Sequence, residues 1–120
     1  ITLAKEAARL LPEWNELKES SGTSVSHRAR PCKGAANAVL AHLCAWKAGC
    51  KYMAQPQDRD YDEQQLWRMV DSACTAIINR QDIYDLEATP DEVCTKTFVD
   101  GGRNAFLKVY FEDIGMNLTK

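Results

Sequence analysis

The chain has 120 residues, 45% of them hydrophobic and 27% charged, enough to bury a core as one domain, residues 1–120, without a metal or a partner. A formal net charge of -2 leaves no surplus of cations to grip a phosphate backbone over a wide surface, which excludes a general nucleic-acid binder. No apolar run approaches the roughly 18–20 residues that span a bilayer, and no basic, apolar and small-residue succession marks a signal peptide. The start at Ile1 is what a processed mature chain, or a piece cut from a longer one, would have.

In chain order, Leu3, Ala7, Leu10, Leu11, Trp14 and Leu17 keep the three-and-four spacing of one helix face. Pro12 removes a backbone donor there and should kink the helix or divide it near Leu11. Ser20 to Pro31 reads as a polar loop. Ala36, Val39, Leu40, Leu43, Trp46, Cys50 and Met53 then repeat at helical spacing through an alanine-rich segment from about Lys33 to Ala54, and are expected to face the core. Gln55 to Tyr61 is a turn, with Asp60 and Glu63 in N-cap and N3 relation to a third helix bearing Leu66, Val70, Ala73, Cys74, Ile77 and Ile78.

After an acidic, irregular stretch from Arg80 to Ala88, the run Thr89-Pro90-Asp91-Glu92 supplies a capping hydroxyl, proline at N1 and a carboxylate at N3 for a fourth helix. Gly101 and Gly102 should break it. A terminal helix is expected from Arg103, carrying Ala105, Phe106, Val109, Tyr110 and Phe111 and ending at Gly115. The fold expected is all-α, an irregular bundle of four to five helices stabilised by disulfides.

The five cysteines are Cys32, Cys44, Cys50, Cys74 and Cys94, a content that favours an oxidising compartment, secreted or periplasmic. Cys44 and Cys50 share a helix and stand about 9 Å apart along its axis, too far to bond. A hairpin of the second and third helices about Arg59 would set Cys44 opposite Cys74, the first-choice bridge. Cys74 with Cys94 competes, and Cys94 otherwise takes Cys50 or Cys32. An odd number leaves one thiol over. Cys32, in the loop between Arg30 and Lys33, is the expected free or intermolecular thiol, through which a disulfide-linked dimer would form.

Chemical motifs are weak. Asp58, Asp60 and Asp62 match the first three ligand positions of an EF-hand loop, but Glu63 stands where glycine is required and Met69 where a bidentate carboxylate is required, so a helix-capping turn is the better reading. Cys32, His42 and Cys44 lack the paired spacing of a zinc site. Neither His27 nor His42 belongs to a nucleophile motif. No metal, cofactor or catalytic residue is therefore expected, and a non-enzymatic role is favoured.

Binding features are better represented. His27, Arg28, Arg30 and Lys33 form a basic segment that either neutralises the acidic stretch Asp82 to Glu92 or faces a partner. Trp67, beside the main apolar stripe of its helix, is the tryptophan expected to reach an interface, and Asn117-Leu118-Thr119 is a glycosylation acceptor sequence. The leading expectation is a secreted or periplasmic helical binding protein, such as a ligand, effector, toxin component or inhibitor, whose partner is another protein. The alternatives are a carrier of a small apolar ligand, lined by residues such as Trp46, Met53, Met69, Phe98, Phe106 and Tyr110, and an intracellular regulator or adaptor with reduced thiols.

Overall fold

The computed structural model describes residues 1–24 and 30–97. The described residues form α1 (Thr2–Leu10), α2 (Lys33–Gly49), α3 (Glu63–Ile78) and a short α4 (Pro90–Glu92) that runs on into a wide helical turn, Val93–Thr97. Among them there is no strand; an isolated antiparallel bridge joins Lys18 to Ser24. The architecture is all-α. The expected break at Gly101-Gly102 and the terminal helix lie outside the described residues, as do His27, Arg28 and Asn117.

Local chemistry sets the helix limits. α1 stops before Pro12, and Leu11 turns extended, with φ -70° and ψ 143°, because the proline ring disfavours helical geometry in the residue before it. The chain re-enters a single 3-10 turn at Trp14–Glu16, held by a reciprocal cap in which the Glu13 N–H donates to Glu16 Oε2 at 3.0 Å. Cys32 is the N-cap of α2, and the N–H of Lys33 donates to the Pro12 carbonyl at 2.8 Å, fastening the helix start to the end of α1. For α3 the cap is Asp62, not Asp60: its Oδ1 accepts from the Gln64 N–H at 3.0 Å. α4 begins as its sequence dictates, with Thr89 Oγ1 accepting from the Glu92 N–H at 3.3 Å and Pro90 at N1.

α2 is the centre of the packing, lying against both α3 and α1. Leu40, Ala41, Cys44 and Ala48 of α2 meet Leu66 and Ala73 of α3, with Ile1, Ala4, Tyr61, Met69, Val70 and Cys74 at the margin. A second cluster closes the other end, where Cys32 and Ala35 pack on Ile83 and Tyr84, flanked by Trp14, Leu17 and Ile77. Here Cys32 Sγ lies 3.2 Å from the Tyr84 hydroxyl. Gly34 is required at this point, since any Cβ would overlap the Tyr84 ring.

The expectation of disulfide stabilisation is corrected: all five cysteines are free and no pair stands at disulfide distance. The register explains why Cys44 misses Cys74. The hydrogen bonds that close the hairpin run from the Tyr61 hydroxyl to the Lys47 carbonyl and from Lys51 Nζ to the Tyr61 carbonyl, centring it on Ala54 to Pro56 instead of Arg59. Cys44 packs in the cluster with Leu66 and Ala73, and Cys74 stands only at its margin. Cys94, beyond α3 on the α4 turn, is exposed and reaches neither Cys74, Cys50 nor Cys32. Cys32 is free, but as the α2 N-cap it has no exposed surface and is not presented to a second chain.

Candidate functional site: an apolar outer face of α2

The sequence puts Ala36, Val39, Leu40, Leu43, Trp46, Cys50 and Met53 in the core stripe of α2; the structure buries Ala36 and Leu40 and half-buries Cys50, but turns Val39, Leu43, Trp46 and Met53 outward. Val39 is 53% exposed, Leu43 40%, Trp46 68% and Met53, in the 3-10 turn Lys51–Met53 that follows the helix, 84%. The core is reached instead by the small side chains of Ala36, Ala41, Cys44 and Ala48, with Leu40 the one large residue among them. α2 is apolar around most of its circumference, a pattern that normally belongs to a helix covered on every side. Three or four neighbouring large apolar side chains in water mark an interaction surface more often than a neutral one.

A shallow, open hollow of about 470 Å³ lies beside Trp46, lined by His42, Ala45, Trp46, Gly49 and Cys50, all from α2 and its C-cap. Nothing lies within 4 Å of where a Gly49 side chain would stand, so the hollow is open to solvent there. Its lining is mostly apolar, with His42 and the half-buried Cys50 among the lining residues. Such a hollow can receive an aliphatic or aromatic side chain. Among the described residues no three metal-binding side chains come together, and neither His42 nor Cys50 sits beside a partner that would make it a catalytic group.

One edge of the face is cationic. Lys47 Nζ stands 4.6 Å from the centre of the Tyr61 ring and Lys51 Nζ 5.4 Å from it, a cation–π arrangement that ties both lysines to the border between α2 and α3. Between Lys33 and Gln57 there is no Asp or Glu. The carboxylates resume at Asp58, Asp60, Asp62 and Glu63, past the C-terminal end of the stripe. Arg59 folds back to the Ala54 carbonyl at 2.9 Å and the Tyr52 carbonyl at 3.1 Å, which holds this turn in place.

Other sequence-selected residues are dispersed. Arg30 donates to the Lys18 carbonyl at 3.1 Å and pairs with Glu19 at 3.6 Å, while Lys33 is half-buried at the start of α2. Asp82 of the acidic stretch is held by Arg80, which also reaches Glu13 at 3.6 Å. Trp67, on α3, is 46% exposed and lies outside the residues lining the hollow. Of the five thiols, Cys94 is exposed, Cys50 and Cys74 partly buried, and Cys32 and Cys44 fully buried. Burial pushes the Cys44 thiol up from its ordinary range, against the opposing pull of the Ile1 ammonium, Lys5 and Lys47.

The outer face of α2 was missed because a three-and-four repeat reports that a helix has an apolar stripe, not which of two stripes is covered. The signal that separates them is size: one stripe is large, and the other, Leu40 apart, is made of alanine, glycine and cysteine. No protein-family model matches the chain, and no curated protein or solved structure matches it either.

Proposed function

We propose that the protein is a helical interaction protein that works by binding another protein through the outer face of α2, as a ligand, effector, toxin component or inhibitor would. The supporting observation is the exposure of Val39, Leu43 and Trp46 on a helix that is apolar around most of its circumference, with Met53 exposed just beyond it. The carrier reading has less support, because Trp46 and Met53 stand outward and the hollow beside Trp46 opens at the surface of one helix. The test is selection of peptides from a displayed library on the immobilised full chain, followed by binding to a Leu43→Ser/Trp46→Ala variant. Peptides enriched on the native protein should lose most of their binding to the variant. Selection of nothing, or of peptides that bind both proteins equally, would exclude this face as the working surface.

The compartment is a separate question. Cysteine content supports a secreted or periplasmic protein; five unbridged cysteines support the second reading, an intracellular regulator or adaptor with reduced thiols. Thiol counting on protein purified without reductant decides between them. Five thiols titrating after denaturation support the intracellular reading, and three or fewer support the secreted one. In the native state Cys94 should label first, Cys50 and Cys74 more slowly, and Cys32 and Cys44 only through unfolding.

A further inference from the structure

We propose that the occupant of the α2 face is an amphipathic helix of the partner protein, docked with an acidic flank along the Lys47 edge. This inference rests on the preceding reading of the face as a binding surface and adds the chemistry of what it binds. From Val39 to the end of α2 at Gly49 the helix rises about 15 Å at 1.5 Å per residue, nearly three turns of a partner helix, and Met53 follows in the next 3-10 turn. Trp46 stands beside a shallow open hollow lined by Ala45 and Gly49, so a second helix with apolar residues at i, i+3, i+4 and i+7 can lay them along the exposed side chains of α2.

Charge selects among occupants. The carboxylate-free run carries Lys33, Lys47 and Lys51, and Lys47 is the exposed cation beside the stripe. A second copy of this chain would bring that like-charged edge against itself, which opposes self-association. An anionic bilayer suits Lys47 and Trp46 but would press its charge equally on Asp58, Asp60, Asp62 and Glu63 at the end of the stripe. A helix carries discrete charges, so it can place Glu or Asp beside Lys47 and leave the aspartate-rich turn unopposed.

The experiment uses the full chain and defined probes. One is a four-turn helical peptide with leucines at i, i+3, i+4 and i+7 and glutamates on its flanks; another has the same leucines and lysines in place of the glutamates. Vesicles of phosphatidylcholine with and without phosphatidylserine, and sedimentation of the protein alone, complete the set. The glutamate peptide should bind about tenfold more tightly than the lysine peptide, a difference of about 1.4 kcal/mol, and the preference should shrink as salt rises. Lys47→Glu, an exposed substitution whose folding is checked by circular dichroism, should reverse the preference, and Leu43→Ser/Trp46→Ala should abolish binding of both peptides. Equal binding of the two peptides would overturn the acidic partner while leaving the binding face intact. Binding of neither would overturn both. A dimer lost in the Leu43→Ser/Trp46→Ala variant would replace the partner with a second copy, and binding only to phosphatidylserine vesicles would replace it with a membrane surface.

Discussion

α2 has an inner face of Gly34, Ala36, Ala41, Cys44 and Ala48 and an outer face of Val39, Leu43 and Trp46, continued by Met53. Both are apolar, yet the buried one holds the smaller side chains. Burial of a large side chain is worth about 1.5–3 kcal/mol, so a helix free to rotate would turn Leu43 and Trp46 inward. What opposes that rotation is distance. Small residues let α1, α3 and Tyr84 approach α2 closely, whereas an indole at the same positions would force the helices apart and open voids elsewhere. The difference teaches that the inner face is specified by what fits, and the outer face is left for a partner to cover.

The largest break in that comparison should come from Gly34. Gly34→Ala puts a methyl group into the Tyr84 ring, and Tyr84, only 6% exposed, has little room to move. Overpacking of this kind costs about 2–3 kcal/mol, and the denaturation midpoint should fall with the slope unchanged. An unshifted midpoint would mean that the 83–84 segment is not fastened to α2 as described.

Ala48→Leu tests the same face nearer its other end. Ala48 is 2% exposed in the cluster with Leu66 and Ala73, and a leucine there should cost about 1–2 kcal/mol. The contrasting change is Leu43→Ser/Trp46→Ala on the outer face. It removes far more apolar volume, yet should shift stability by no more than about 0.5 kcal/mol. A loss as large as that from Ala48→Leu would show that the outer stripe is covered within the free protein.

Much of this arrangement was legible in the sequence, and the limits of legibility are physical. The break before Pro12, the start at Thr89-Pro90 and the helices α2 and α3 follow from backbone rules that act over four or five residues. The cap of α3 was misplaced by two residues because Asp60 and Asp62 are chemically equivalent and only the fold of the preceding turn separates them. The cysteine pairings failed for a longer-range reason: register across a hairpin depends on how the 3-10 turns Lys51–Met53 and Pro56–Asp58 consume chain between the helices. Facing of α2 depends on packing against both neighbours at once, and a single-helix pattern does not contain it.

The smallest effect sharpens the comparison from the rim of the inner face, where polar groups fasten what packing holds. Arg80, just past α3, pairs with Asp82 at 3.0 Å and with Glu13 at 3.6 Å, joining the segment after α1 to the segment that delivers Ile83 and Tyr84 to the second cluster. Its hydrogen bond and charge hold the Asp82 carboxyl below the ordinary 3.8. A carboxyl depressed in the folded state stabilises the fold above its unfolded value, and the contribution disappears as pH falls through the folded value. Because the pair stands in solvent, its share is small and screened by salt. Thermal melts of the native protein should therefore decline slightly more than those of Asp82→Asn as pH is lowered from 5 through the range below about 4, and the difference should vanish in high salt. Parallel declines at low salt would show that the ion pair adds nothing to the packing of Tyr84, leaving its contacts with Cys32, Gly34 and Ala35 to hold that end of α2.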